Sequence, residues 1–231
     1  MDGMLSSLWG RLKVYKQLVG GPGNFAGRCL VCAGETAQRV GLCDGCHGDL
    51  PRRKIRRLRR QIDGVTHAFA AFEYDFPIKD LIKAAKFQRD FCALGILKAC
   101  LVEELAEVLE AVDLVIPVPL SRHRFVARGF NQSSELALVL AQALVVPVRG
   151  DYLRKTLSTP AQSLLSATAR RTNLSSAFHG ASQVRDAIVL VIDDVVTTGT
   201  TLASVASALR AAGAREIRAA TLAATRLRGS D

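Results

Sequence analysis

The stretch AIVLVIDDVVTTGTTLASVASALRAAG, residues 187–213, constrains the fold more than any other part of the chain. An apolar run of this length reads as a strand covered on both faces, as in parallel sheets. It delivers Asp193 and Asp194 to its C-terminal end, turns through Thr197, Thr198, Gly199, Thr200 and Thr201, and continues with helical spacing to Gly213. The free N–H groups and dipole of a helix N-terminus favour a phosphate. Gly199 lets the backbone approach it, and the threonines add hydroxyl donors. Two carboxylates ahead of such a cradle suit the vicinal hydroxyls of a ribose and can neighbour a bound magnesium ion. The segment is neither G-x-x-x-x-G-K-[ST] nor G-x-G-x-x-G.

The flanking sequence extends the same logic. Strands are expected within 65–74, 113–119, 145–149, 187–192 and 216–225, and helices over 77–87, 91–111, 131–144 (capped by Asn131) and 201–213. Strands alternating with helices predict an α/β fold, a mostly parallel sheet with helices on both faces. Ligands of such sheets bind at the C-terminal ends of the strands.

Ahead of this body, RCLVCAGETAQRVGLCDGCHGDLP holds Cys29, Cys32, Cys43 and Cys46, two C-x-x-C pairs ten residues apart. Two such turns complete a tetrahedral thiolate site suited to zinc. A full set of four closes the shell to water, so the metal is expected to be structural. Two disulfides or a redox motif are the alternatives, and His47 is a substitute ligand. Cys92 and Cys100 are expected to be buried small hydrophobes.

The formal net charge of +10 is concentrated in PRRKIRRLRR, which carries seven cations (Arg52, Arg53, Lys54, Arg56, Arg57, Arg59 and Arg60) in residues 51–60. Ile55, Leu58 and Ile62 fall along one side, so an Arg-rich helix with a thin apolar seam is expected. Charge of this density suits nucleic-acid phosphates, single-stranded DNA in particular. An acidic protein partner or a solvated face are the other readings. The run lacks interleaved aromatics, so it would grip backbone rather than bases.

At the N-terminus, Leu5, Leu8, Trp9, Leu12 and Val19 give residues 1–25 the spacing of an amphipathic leader helix, closed by GGPG at 20–23. Arg11, Lys13 and Lys16 break any signal-peptide core, and no run reaches membrane-spanning length, so a cytoplasmic protein is expected. The expected domains are the leader at 1–25, a finger with the Arg-rich helix at 26–62, and the α/β domain at 63–231.

Several motifs in order carry a family resemblance. The IDDVVTTGTT segment is similar to the phosphoribosyl-pyrophosphate signature of type I phosphoribosyltransferases. With the C-x-x-C pairs, the LP that follows them, YDFPIKDLIKAAKFQRD (74–90), PVPLSRHRFVARGFNQSSELA (117–137) and STPAQSLLSATARRTNLSSAF (158–178), the chain from residue 29 to about 225 resembles the ComF/GntX family. The resemblance implies a competence- and DNA-uptake-associated protein built from a zinc finger and a phosphoribosyltransferase-like domain. It implies a magnesium-dependent phosphoribosyl-pyrophosphate pocket, with Asp193 and Asp194 on the ribose hydroxyls and residues 197–201 on the 5′-phosphate. Arg122, Arg124 and Arg128, in an expected loop, become pyrophosphate candidates. Residues 155–171, with Gln162, Arg170 and Arg171, fall where the transferases keep a lid, and Asn173 follows.

Three functions remain open on these grounds. The first is a nucleic-acid-binding accessory protein whose pocket takes phosphoribosyl pyrophosphate as ligand. The second is an active transferase with an unknown acceptor. The third is a zinc-finger scaffold docking a DNA-uptake helicase. His67, His123 and His179 are scattered and none is an obvious general base, so no catalytic residue is assigned, and the hood-like segment 65–90 identifies no acceptor.

Overall fold

The computed structural model describes residues 27–35, 41–109, 111–155 and 177–226. The expected leader helix lies outside these residues, as do Gln162, Arg170, Arg171, Asn173 and nearly all of the expected lid.

In chain order the elements are α1 (Asp44–Gly48), β1 (His67–Glu73), α2 (Ile78–Lys83), α3 (Phe91–Leu105), β2 (Leu114–Pro117), α4 (Arg122–Arg128), α5 (Gln132–Leu144), β3 (Leu153–Lys155), β4 (Phe178–Gly180), β5 (Ile188–Val196), α6 (Thr200–Ala211) and β6 (Glu216–Ala224). A π-helical turn, Ala84–Gln88, extends α2 and ends at Arg89 in the left-handed region. Asp90 then starts α3, its carboxylate accepting from the N–H groups of Cys92 and Ala93 at 2.9 Å each.

Four strands form one parallel sheet in the order β1-β6-β5-β2. Successive strand residues point to opposite faces, and the apolar clusters record it. Leu190 and Ile192 join Phe72, Ile96 and Leu140 on the face covered by α2, α3 and α5. Val189 and Val191 join Leu202, Val205 and Leu209 of α6 on the other. Covered on both sides, the strands can be apolar throughout, which is why the β5 run does not alternate with polar residues.

Three expectations are corrected. Residues 145–149 make a single parallel bridge, Val115 to Val148, rather than a strand. Residues 122–128 form a helix rather than a loop, because Ser121 caps its start and Gly129, at φ 80°, ends it. The run 51–60 is not a helix. It is an extended strap along β1, joined to it by Arg53 N to Ala71 O at 3.1 Å, Leu58 N to Ala68 O at 2.7 Å and Ala70 N to Arg56 O at 2.9 Å. Because β1 is the outer strand of the sheet, these bonds satisfy an edge otherwise left open. The spacing of Leu58 and Ile62 serves the extended form, since both are buried with the α6 face while Ile55 is exposed. A short antiparallel ribbon, β3 with β4, was not foreseen and covers part of that face.

The cysteine segment is packed on the body. Cys29, Leu42 and Leu50 belong to the same apolar cluster as Leu101 and Leu105 of α3. Among the described residues no helix is long and apolar enough to cross a membrane.

Candidate functional site

The acid pair lies in the C-terminal half of β5, just past the residues paired with β2 and still beside β6. Asp193 Oδ1 accepts from the Ser133 hydroxyl at 3.0 Å and from the Asp194 N–H at 2.9 Å. Asp194 Oδ2 lies 2.5 Å from Lys86 Nζ, and both side chains are less than one-fifth exposed. Burial, reinforced by the neighbouring Asp194 charge, pushes Asp193 up to about 7, against the pull of its hydrogen bonds and of Lys86. The two acids thus share one strand end with a single ammonium between them and the π-helical turn. The same surroundings raise the Tyr74 hydroxyl, by burial first and then by the charge of Asp194.

The turn that follows has the form the sequence predicted. Gly199 adopts φ 89° at the N-cap of α6, a conformation that costs residues bearing a Cβ roughly 1–2 kcal/mol. A Cβ there would also stand 3.0 Å from Ile62 Cγ1, so the strap packs directly against the turn. Thr197, Thr198, Thr200 and Thr201 are exposed. The Thr198 and Thr200 hydroxyls pair at 2.8 Å. Arg60 holds this turn from behind, donating to the Thr197 carbonyl and, at 2.5 Å, to the Thr225 carbonyl.

Residues from three further elements complete the cleft. Asn131 caps α5 as expected: its side chain accepts from Ser133 N at 3.1 Å and donates to Val118 O at 3.0 Å, which fixes Ser133 against Asp193. Gln132 is buried, its Oε1 accepting from Arg128 at 3.1 Å while its Nε2 has no partner among the described residues. Lys155, on β3, is lowered by partial burial first and then by the Arg124 charge, with the Asp193 charge acting the other way, and its ammonium stands 5.4 Å from the Phe178 ring centroid. Of the three arginine candidates, Arg124 is exposed on α4. Arg128 turns over the Phe87 ring at 5.5 Å, and Arg122 is exposed on α4.

Lys86, Ser133 and Lys155 were not singled out as site residues by sequence, and Arg60 was read as a nucleic-acid contact rather than as a support of this turn. Only Ser133, two positions after the predicted cap, carried a local signal.

The strap's cations have partners close by. Glu104, nearly buried, accepts from Arg52 at 2.6 Å and from Arg56. Arg53 pairs with Glu73 at 2.5 Å, and Arg57 meets His67 Nδ1 at 2.7 Å. Among the described residues only Lys54 and Arg59 of the seven have no such partner.

The four cysteine Sγ atoms lie within 4.8 Å of one another, and none is in a disulfide. A tetrahedral zinc with bonds of about 2.3 Å needs thiolates about 3.8 Å apart, and Cys32 and Cys43 stand at 3.6 Å. Burial would raise Cys29, but backbone N–H groups from Cys32, Cys43 and Val31 outweigh it and hold the thiol at about 6. Cys46 is pushed far up by burial and by the three other thiols. Four thiols this close cannot all ionise without a cation among them, which is the donor set a dication fits. His47 is not part of it: its Nε2 lies 3.0 Å from Glu103 on α3.

A parallel sheet that presents two acids and a threonine–glycine turn at one strand end, with a cysteine cluster packed behind, defines a phosphoribosyltransferase-type fold bearing a four-cysteine finger. Residues 129–230 match the family model described as "Phosphoribosyl transferase domain". The chain is 32% identical over 202 residues to the "DNA utilization protein YhgH" of Salmonella typhimurium, covering 83% of this chain and 88% of that protein. It is 29% identical over 218 residues to "Competence protein F" of Haemophilus influenzae, with 84% and 95% covered. It is 32% identical over 162 residues to "Competence protein ComFC" of Streptococcus pneumoniae, with 69% and 68% covered. The chain belongs to the ComF family.

Proposed function

We propose that this protein binds phosphoribosyl pyrophosphate in the cleft at the end of β5, as an accessory protein of DNA uptake or utilisation. The observation that carries the reading is the acid pair, held by Lys86 and Ser133, immediately before the Gly199 turn. Asp193 and Asp194 accept the ribose hydroxyls. The N–H and hydroxyl groups of residues 197–201 take the 5′-phosphate. Arg124 and Lys155 are the cations we assign to the pyrophosphate. The oxygen-rich donors suit magnesium, which when bound would offset the negative charge of the pyrophosphate. The four cysteines hold a structural zinc that fixes the finger on α3.

If an acceptor is present, its nucleophile attacks C1′ as pyrophosphate departs. This chain would then contribute orientation of the ribose and cationic stabilisation of the leaving group. Turnover is the second reading, in which Lys155 of β3 and the arginines of α4 are the cations available to a leaving pyrophosphate. The name of one relative, a DNA utilization protein, favours DNA as a macromolecular partner, and we take the single-stranded form as the one bound.

Calorimetry of phosphoribosyl pyrophosphate with magnesium tests the pocket. Asp194→Asn is expected to weaken binding about tenfold or more, the worth of a charge-assisted hydrogen bond. Equal affinity for both proteins, or none for the wild type, overturns it.

A further inference from the structure

We propose that the surface formed by residues 87–91 and α4 binds single-stranded nucleic acid, stacking bases on its phenylalanines and meeting phosphates with its arginines. The proposal rests on the reading that the chain has such a partner, and it places the contact away from the Arg-rich strap.

Two segments far apart in sequence lie side by side here. Arg128 stands over the Phe87 ring at 5.5 Å, Arg89 donates to the Ala127 carbonyl at 3.1 Å, and the Phe91 and Phe130 rings are 5.5 Å apart. Their apolar groups are turned outward: Phe87 is 71% exposed, Phe91 65%, Phe125 50% and Val126 73%. None of the seven residues of α4 is buried. A helix of sequence RHRFVAR that exposes a phenylalanine and a valine gains little from the fold it sits on, and its surface is unspent.

Charge decides what it fits. Residues 121–131 contain three arginines and no acid. In residues 84–91 the one acid is Asp90, whose carboxylate is committed to capping α3. Aromatic rings interleaved with guanidinium groups form the platform on which unpaired bases stack while the backbone is neutralised. The strap offers the opposite arrangement. Its arginines other than Arg59 are engaged by Glu73, Glu104, His67 and two backbone carbonyls, and it carries no aromatic residue. The platform also borders the cleft, since Phe87 follows Lys86 and Arg128 bonds to Gln132 beside Ser133.

The test is fluorescence anisotropy of a labelled oligothymidylate of roughly 20 nucleotides, titrated at several salt concentrations. Phe87→Ala combined with Phe125→Ala is expected to lose about tenfold in affinity per ring with the salt slope unchanged. Arg122→Ala is expected to lower the slope by about 0.7. Lys54→Ala with Arg59→Ala is expected to bind as the wild type does. Phe87→Leu with Phe125→Leu retains apolar volume and guards against a folding artefact, and it should lose most of the same affinity. Wild-type affinity in the leucine variant, or a loss confined to the Lys54 and Arg59 variant, overturns the surface while leaving nucleic-acid binding in place. No binding by the wild type at low salt overturns both. If the surface instead serves a protein partner, the phenylalanine variants bind DNA normally, which counts against the proposal.

Discussion

Lys86 reaches Asp194 across the cleft at 2.5 Å, joining a π-helical turn on one side of the sheet to the acid pair at the end of β5. A π-turn inserts one residue into the helical repeat and re-aims the side chains after it. Without that ammonium, the charges of two consecutive carboxylates would be offset at Asp193 only by the Ser133 hydroxyl and one N–H. Lys86→Met should therefore raise the titration of Asp193 above its value of about 7. Carboxyl-resolved NMR titration checks this, and an unmoved Asp193 would show that Lys86 is not its electrostatic partner.

The raised Asp193 makes stability fall with pH. Because the folded protein holds this proton more tightly than the unfolded chain, which releases it near 3.8, the proton's contribution is complete below pH 4. It is lost as pH rises through about 7. Asp193→Asn should flatten that part of the profile. Urea midpoints measured from pH 4 to 8 decide it, and parallel wild-type and variant profiles speak against it.

Arg60→Ala should loosen the threonine–glycine turn from behind. Two hydrogen bonds from a charged donor to backbone carbonyls are lost, each worth about 1.5–3 kcal/mol. The expected result is a lower unfolding temperature together with weaker phosphoribosyl-pyrophosphate binding, whereas Lys54→Ala changes neither.

Glu104→Gln leaves Arg52 and Arg56 without their shared carboxylate in a nearly buried site. Breaking a buried ion pair at one partner costs about 3–5 kcal/mol. Chemical denaturation should show a loss of that size. A change below about 1 kcal/mol would place the pair among weakly coupled surface bridges.

Gly199→Ala should be destabilising on two counts, its φ of 89° and the Ile62 contact. Ile62→Ala removes the clashing Cγ1, so Gly199→Ala made in that background should recover the steric share and keep the backbone share. Complete recovery would mean that φ costs nothing there.

How much was legible in the sequence depended on how local the chemistry was. The acid pair, the threonine turn and the Asn131 cap each complete their geometry within a few residues, and the structure places them as read. So do the cysteine turns, whose four sulfurs converge. Lys86 and Lys155 act on the acids across more than a hundred and about forty residues respectively, and Lys86 depends on a π-turn that no periodicity announces. The strap was misread because Ile55, Leu58 and Ile62 suit one side of a helix equally well. The determining facts were the open edge of β1 and carboxylates at 73 and 104, neither visible in residues 51–60.

The strap has a consequence for how the chain can be cut. A fragment beginning at Asp63 would retain the whole parallel sheet yet lose the segment bonded along β1, together with the Leu58 and Ile62 side chains. An uncovered outer strand of HAFAAFE, whose five central residues are all buried in the intact chain, is a template for edge-to-edge association. The phosphoribosyltransferase-type domain expressed alone should therefore self-associate and precipitate. The strap thus guards the open edge of the sheet it borders.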